Sequence, residues 1–245
     1  EALNPPHPFD LTTLQREAYN IHKISPSETL TISQKLYLQG LISYPRTSSQ
    51  KIPQSIEPKK ILKNLEKNFP EAKEITRSVP IEGKKSDPAH PSIYPTGEFV
   101  LLSGNEKKVY ELIVKRFISV FSKDAQVLNK KVVVKANNHS DIDFRSSGLK
   151  ILKKGWTKVY PSYLEESDVP TLQGNVKIDE IKFLEKETQP PKRYTPASLI
   201  TLLEKKNLGT KATRSSIIDT LFDRGYLDGK SIEATPLGIK LIESL

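Results

Sequence analysis

The chain has 245 residues, and 38 Lys and Arg against 29 Asp and Glu give it a formal charge of +9. That surplus favours a polyanionic partner, nucleic acid being the commonest, although a soluble protein with a lysine-rich surface would carry the same balance. The 36% hydrophobic content argues for a folded core, and the absence of cysteine excludes disulfides, thiol catalysis, Fe–S clusters and Cys-ligated zinc.

Residues 1–10 carry Pro5, Pro6 and Pro8 and read as an extended lead-in. A helix follows, with Thr12 and Gln15 as its expected capping box and Leu14, Ala18 and Ile21 repeating along one face. A second helix starts at Ser25-Pro26 with Glu28 reaching back, turns Leu30, Leu36 and Tyr37 inward and stops at Gly40. Leu41 to Tyr44 then predicts a short strand, ended by Pro45. A basic helix is expected over 58–68, a loop rich in proline and charge over 70–100, and a longer helix opened by Ser103 with Val109, Leu112, Ile113, Phe117, Val120 and Phe121 as its stripe. Six short strands are expected at 126–128, 132–134, 142–144, 149–152, 157–160 and 176–183, with turns at 137–140 and 173–175. The helices return at Thr195-Pro196, carrying Leu199, Leu202 and Leu203 inward, and at Thr213, carrying Ile217, Leu221 and Phe222. A hairpin about Asp228-Gly229 and a last helix from Pro236 with Leu237, Ile239 and Leu241 complete the chain.

Helix, turn, helix and a two-stranded wing is the winged-helix order. Residues 12–44 show a similar succession. The expected fold is therefore α+β, mainly α. Two winged-helix (CAP-like) helical domains, 1–123 and 193–245, are joined by a small antiparallel β-region at 124–192. No apolar run reaches the ~18–20 residues that span a bilayer, and no secretory leader is visible. Methionine is absent even at position 1, so the sequence reads as starting inside a longer protein.

Three clusters could carry chemistry. In Gly40-Leu41-Ile42-Ser43-Tyr44-Pro45-Arg46-Thr47-Ser48-Ser49, a phenolate could attack a phosphodiester and the guanidinium two residues on could clamp the phosphate. Thr47 and Ser48 add donors for further phosphate contacts. A structural tyrosine on a half-buried strand is the alternative. His90, between Pro88 and Pro91, could bind a phosphate oxygen or shuttle a proton, or be an ordinary turn histidine. Gly209 to Ser216 opens a helix with Lys211, Thr213, Arg214 and Ser216; free N–H groups and two cations suit a phosphate there, though Thr213 could be a plain cap. Tyr94, Trp156 and Tyr160 lie near basic residues and could stack on bases, but are more often core. Asp141-Ile142-Asp143 has a metal-like spacing but sits in a polar hairpin, and no metal is assigned to it.

Taken in order, these clusters resemble the type IA DNA topoisomerases. Residues 40–47 resemble the family's active-site tyrosine motif and Ala89-His90-Pro91-Ser92-Ile93-Tyr94-Pro95-Thr96 its histidine motif. Residues 194–199, 209–218 and 224–227 resemble its second DNA-binding stretch, and 155–159 looks like the returning strand of its β-rich arch. The wording is closest to the archaeal and topoisomerase III branches. The resemblance implies that Tyr44 forms a 5′-phosphotyrosine link, Arg46 steadies the scissile phosphate, His90 contacts a neighbouring phosphate, and the residues about Thr213 hold the strand. It also implies a single-stranded DNA partner and a cytoplasmic, nucleoid-associated site of action.

The sequence departs from the family in two ways. Ser48 stands where an acidic residue is common. The Toprim domain, which carries the family's general acid and its Mg²⁺ site, has no counterpart in these residues, so Mg²⁺ would be bound outside them and this chain alone is expected to be inactive. The rival readings are a winged-helix DNA-binding module without chemistry and a β-rich scaffold with a basic surface.

Overall fold

A computed structural model describes residues 1–136 and 139–245, with the backbone alone of residues 74 and 139–142. The tight part of the expected turn at 137–140 therefore lies outside the described residues.

Helices α1 (Leu11–His22) and α2 (Pro26–Leu38) begin the helical body. The cap of α1 is Asp10 rather than Thr12: its carboxylate accepts the Thr13 N–H at 2.7 Å, and the Thr13 hydroxyl accepts the Asp10 N–H at 3.1 Å. Gln15, freed from capping, donates to the Pro26 carbonyl at 2.9 Å and ties α1 to the start of α2. Ser25 caps α2 as expected, accepting the Glu28 N–H at 3.1 Å. The Glu28 carboxylate does not reach back but accepts from Asn105 at 2.7 Å. Tyr37, expected inward, is 38% exposed.

Helices α3 (Pro58–Leu65) and α4 (Gly104–Ser119) complete this body, and a 3₁₀ turn covers Pro70–Glu74. The apolar stripe of α4 is buried as its spacing predicts, with Val109, Ile113 and Val120 fully enclosed. One cation is buried with it. Arg116, on α4, is 4% exposed and lies over the rings of Tyr160 (4.0 Å) and Phe9 (4.3 Å). It donates to the Tyr160 hydroxyl at 2.9 Å and lies 3.7 Å from the Glu17 carboxylate. Burial lowers the Arg116 pKa and raises that of Tyr160, each partly offset by the other group. Tyr160 and Trp156 are thus core residues, Trp156 donating through its indole to the Leu3 carbonyl at 2.9 Å.

The four strands expected between 126 and 152 merge into two long ones, β2 (Ala125–Ala136) and β3 (His139–Lys153), paired antiparallel. A short β1 (Ala2–Leu3) adds to β2, giving the order β1-β2-β3. Two expected strands do not form. Residues 155–158 make a 3₁₀ turn because the aromatic rings of this stretch are drawn into the core and Gly155 turns at φ +51 against the Asp124 carbonyl, where a Cβ would lie 2.3 Å from the oxygen. Residues 176–183 have no regular structure and no partner strand among the described residues; Ile178, Ile181 and Phe183 are exposed. β-propensity without a neighbour to pair with does not make a strand.

Helices α5 (Pro196–Lys205) and α6 (Arg214–Asp223), the hairpin β4 (Leu227–Asp228) and β5 (Glu233–Ala234), and α7 (Pro236–Glu243) follow in the expected order. Gly238 lets α7 touch the chain at Tyr226, whose carbonyl a Cβ would meet at 2.4 Å. The inward residues differ in detail: α5 buries Ala197 and Ile200, α6 buries Ile218, and Leu237, Ile239 and Leu241 of α7 remain exposed. Residues two apart on a helix point about 200° apart, so that trio cannot share one face. Helix α5 packs on α1 and α2, and α6 on α2. Ala197, Ile200 and Ile218 nevertheless lie outside the main apolar cluster that joins Phe9, Leu36, Ile93, Ile113 and Phe117.

Arg116→Ala should cost about 3 kcal/mol, because the buried Glu17 would keep only the partly exposed Arg16, 3.3 Å away, as its cation. Urea unfolding followed by the fluorescence of the single Trp156 measures this, and a loss below about 1 kcal/mol would show the pair to be energetically idle.

Candidate active site

The tyrosine loop begins where α2 ends. Gly40, at φ +72, reverses the chain, and Leu41 and Ile42 drive their side chains into the core. The strand expected over 41–44 is reduced to a single bridge between Ile42 and Pro95, since a proline partner supplies no N–H to extend a ladder. Hydrogen bonds lace the loop to the His90 segment instead. Ser43 N–H donates to the Tyr94 carbonyl at 2.9 Å and Thr96 N–H to the Leu41 carbonyl at 3.0 Å. The Ser43 hydroxyl donates to the Ser92 carbonyl and accepts the Tyr94 N–H, both at 3.0 Å.

This lacing brings two of the expected residues together. The Tyr44 ring lies 4.6 Å from the His90 imidazole, centroid to centroid, with Tyr37 edge-on to it at 5.4 Å. Tyr44 is half-buried, so its ring is held while part of it faces solvent. Arg46 is also half-buried, and its Nε is enclosed without a hydrogen-bond partner among the described residues. A buried guanidinium nitrogen lacking an acceptor is a position an anionic oxygen would complete.

Thr47 and Ser48 turn inward. The Thr47 hydroxyl is buried, donating to the His90 carbonyl at 3.3 Å and accepting the Ser49 N–H at 3.0 Å. Its carbonyl accepts the Leu11 N–H at 3.0 Å, fixing the loop to the start of α1. Ser48 donates to one oxygen of Asp87 through both its N–H (3.4 Å) and its hydroxyl (3.3 Å). The carboxylate expected next to Thr47 in sequence is thus supplied from another loop.

Asp87 was not apparent from the sequence as a site residue, and it is the junction of the three clusters. Its side chain is 7% exposed, accepts the Ala89 N–H at 3.0 Å, and forms an ion pair with Lys211. Lys211 holds its pKa far below the ordinary carboxylate value against the opposing effect of burial, with the Ala89 and Ser48 N–H groups assisting. Two residues earlier Lys85 reaches Asp10, the cap of α1, at 3.3 Å and Glu204 of α5 at 3.0 Å. Burial lowers the pKa of Lys85, but the two carboxylates outweigh it and the net shift is upward. The Asp-Pro pair and the adjoining lysine were the available signals, and neither names a distant partner.

The rest of the third cluster is engaged locally. Thr213 Oγ1 accepts the Thr210 N–H at 2.9 Å and makes no side-chain cap to α6. Arg214 Nε donates to the Leu208 carbonyl at 3.2 Å, and the Ser216 hydroxyl to the Thr213 carbonyl at 2.9 Å. Thr213 and Ser216 are exposed, Arg214 half-buried. Asp143 pairs with Arg145 at 2.8 Å. Among the described residues no three His, Asp or Glu side chains converge as a metal site.

A half-buried phenol against an imidazole, with a guanidinium two residues along the chain, can present an oxygen nucleophile to a phosphoryl group. The family model described as DNA topoisomerase matches residues 1–245. The chain is 46% identical over 261 residues to DNA topoisomerase 1 of Pyrococcus horikoshii, covering 98% of this chain and 37% of that protein. It is 48% identical over 249 residues to DNA topoisomerase 1 of Methanothermobacter thermautotrophicus, covering 98% and 34%. The fold matches the full-length topoisomerase I of Thermotoga maritima with a TM-score of 0.74 at 28% identity, over 97% of this chain and 42% of that one. The chain therefore spans about a third of the curated relatives it matches, and it belongs to the DNA topoisomerase family.

Proposed function

We propose that the chain is the tyrosine-bearing part of a type IA topoisomerase, an isomerase that opens one DNA strand, lets the other through and reseals the first. The observation that carries the reading is the placement of Tyr44 against His90, with the buried Arg46 Nε lacking an acceptor close by in the chain. The Tyr44 phenolic oxygen attacks a backbone phosphorus. The P–O bond to the 3′ oxygen breaks, that oxygen leaves as a hydroxyl after taking a proton, and a 5′-phosphotyrosine ester forms. The ester conserves the bond energy, so attack by the same 3′ hydroxyl reseals the strand without ATP, and negative supercoils relax. Arg46 and His90 are the phosphate contacts, and Thr213, Arg214 and Ser216 of residues 209–216 steady the strand through its backbone, while Lys211, expected among them, is engaged by Asp87. Thr47 and Ser48 hold the loop in shape.

Residues 1–123 and 193–245 are read as winged-helix domains and 124–192 as the arch between them. Single-stranded DNA is the preferred partner. Mg²⁺ does not fit here, because the acidic groups nearest the tyrosine loop, Asp10 and Asp87, are each held by a lysine. The ion and the general acid would come from a Toprim domain elsewhere in the parent protein, which would act in the cytoplasm on the nucleoid.

Two outcomes test the reading. The full-length parent, incubated with labelled single-stranded DNA and quenched with denaturant, should yield a covalent adduct that Tyr44→Phe abolishes; an undiminished adduct in that variant would place the nucleophile elsewhere. The 245-residue chain with Mg²⁺ should leave a negatively supercoiled plasmid unrelaxed, and rapid relaxation would show that it needs no further domain.

A further inference from the structure

Lys211 belongs to the segment expected to hold DNA, yet its charge is already spent. Its ammonium is paired with Asp87, whose carboxylate is itself anchored on the tyrosine loop through Ser48 and on the histidine loop through Ala89. The pair spans the seam between the body that carries Tyr44 and the α5–α6 segment. Apolar residues of α5 and α6 at this seam are buried but do not join the main core cluster. Among the described residues a second polar link across it, Lys85 to Glu204, starts from the same loop. A phosphate approaching Lys211 therefore meets a cation held by a nearly buried carboxylate, and taking that cation would also free the carboxylate that fixes Ser48.

We propose that Asp87 is a positioning residue with two duties: it masks Lys211 from the nucleic-acid backbone, and through Ser48 it sets the loop that presents Tyr44. The inference rests on the topoisomerase reading for its ligand class, a single-stranded polyanion. Masking by a carboxylate lowers the number of cations that meet phosphates on first contact. Removing the carboxylate exposes one more. Binding and strand breakage are then pulled in opposite directions by a single change, which simple loss of structure would not do.

The test is the affinity of the 245-residue chain for a labelled oligothymidylate, read by fluorescence anisotropy over a range of KCl concentrations. Asp87→Asn should bind roughly fivefold tighter, and its plot of log K against log salt should steepen by about 0.7, the increment for one added phosphate contact on a single strand. In a Lys211→Gln background the same substitution should change neither quantity. Lys211→Gln alone should leave the wild-type slope unaltered, which keeps the idea exposed even if Asp87→Asn does not fold. In the full-length parent, Asp87→Asn should lower the yield of the Tyr44 adduct despite tighter binding. A wild-type slope that falls by about 0.7 on Lys211→Gln would overturn the masking, because Lys211 would already reach the strand. Binding that follows these slopes while the parent forms no Tyr44 adduct would sink the topoisomerase reading and spare the mask. No binding by any variant would sink both.

Discussion

The loop that carries Tyr44 has no sheet beneath it, and its place depends on being laced to a second extended segment. Ile42 and Ile93 are buried at 2% exposure, and the backbone bonds among Leu41, Ser43, Tyr94 and Thr96 hold the two stretches side by side. Ser43 closes two of these bonds with one hydroxyl. Each bond contributes about 1 kcal/mol net, so the arrangement is secured by their number and by the apolar side chains under them. The geometry about Tyr44 follows: once Ile42 and Ile93 are fixed, the two rings have little choice but to meet.

Charge near this loop is more balanced than the +9 of the chain suggests. Lys85 is answered by Asp10 and Glu204, and Lys211 by Asp87. Among the described residues, Arg46 Nε, two residues along the chain from the tyrosine, is enclosed without an acceptor, as is the Ser92 hydroxyl on the facing segment. Paired cations shape the loops, while Arg46 has no acidic partner among the described residues. This division would not be visible in any count of basic residues.

What the sequence disclosed was local. Helix starts at Ser25-Pro26, Thr195-Pro196 and Thr235-Pro236 are written in adjacent residues, and the structure uses all three. The stripe of α4 is likewise a matter of spacing. What escaped was tertiary. The cap of α1 moved to Asp10 because Gln15 was claimed by Pro26, and 157–160 became a turn because Tyr160 was claimed by Arg116. The tyrosine and histidine motifs were legible because each is contiguous. Asp87 was not, since its significance lies in Ser48, 39 residues before it, and Lys211, 124 after it.

The buried Arg116 has a mechanical consequence. It stands on α4, clasps Tyr160 just beyond the β2–β3 hairpin, and stays neutralised by Glu17 of α1. Separating those three groups would strand a charge in an apolar medium, a steep penalty for a small displacement. The base of the hairpin is therefore welded to the helices that bear the tyrosine loop. A sideways load on the long hairpin would be delivered as torque to that whole body.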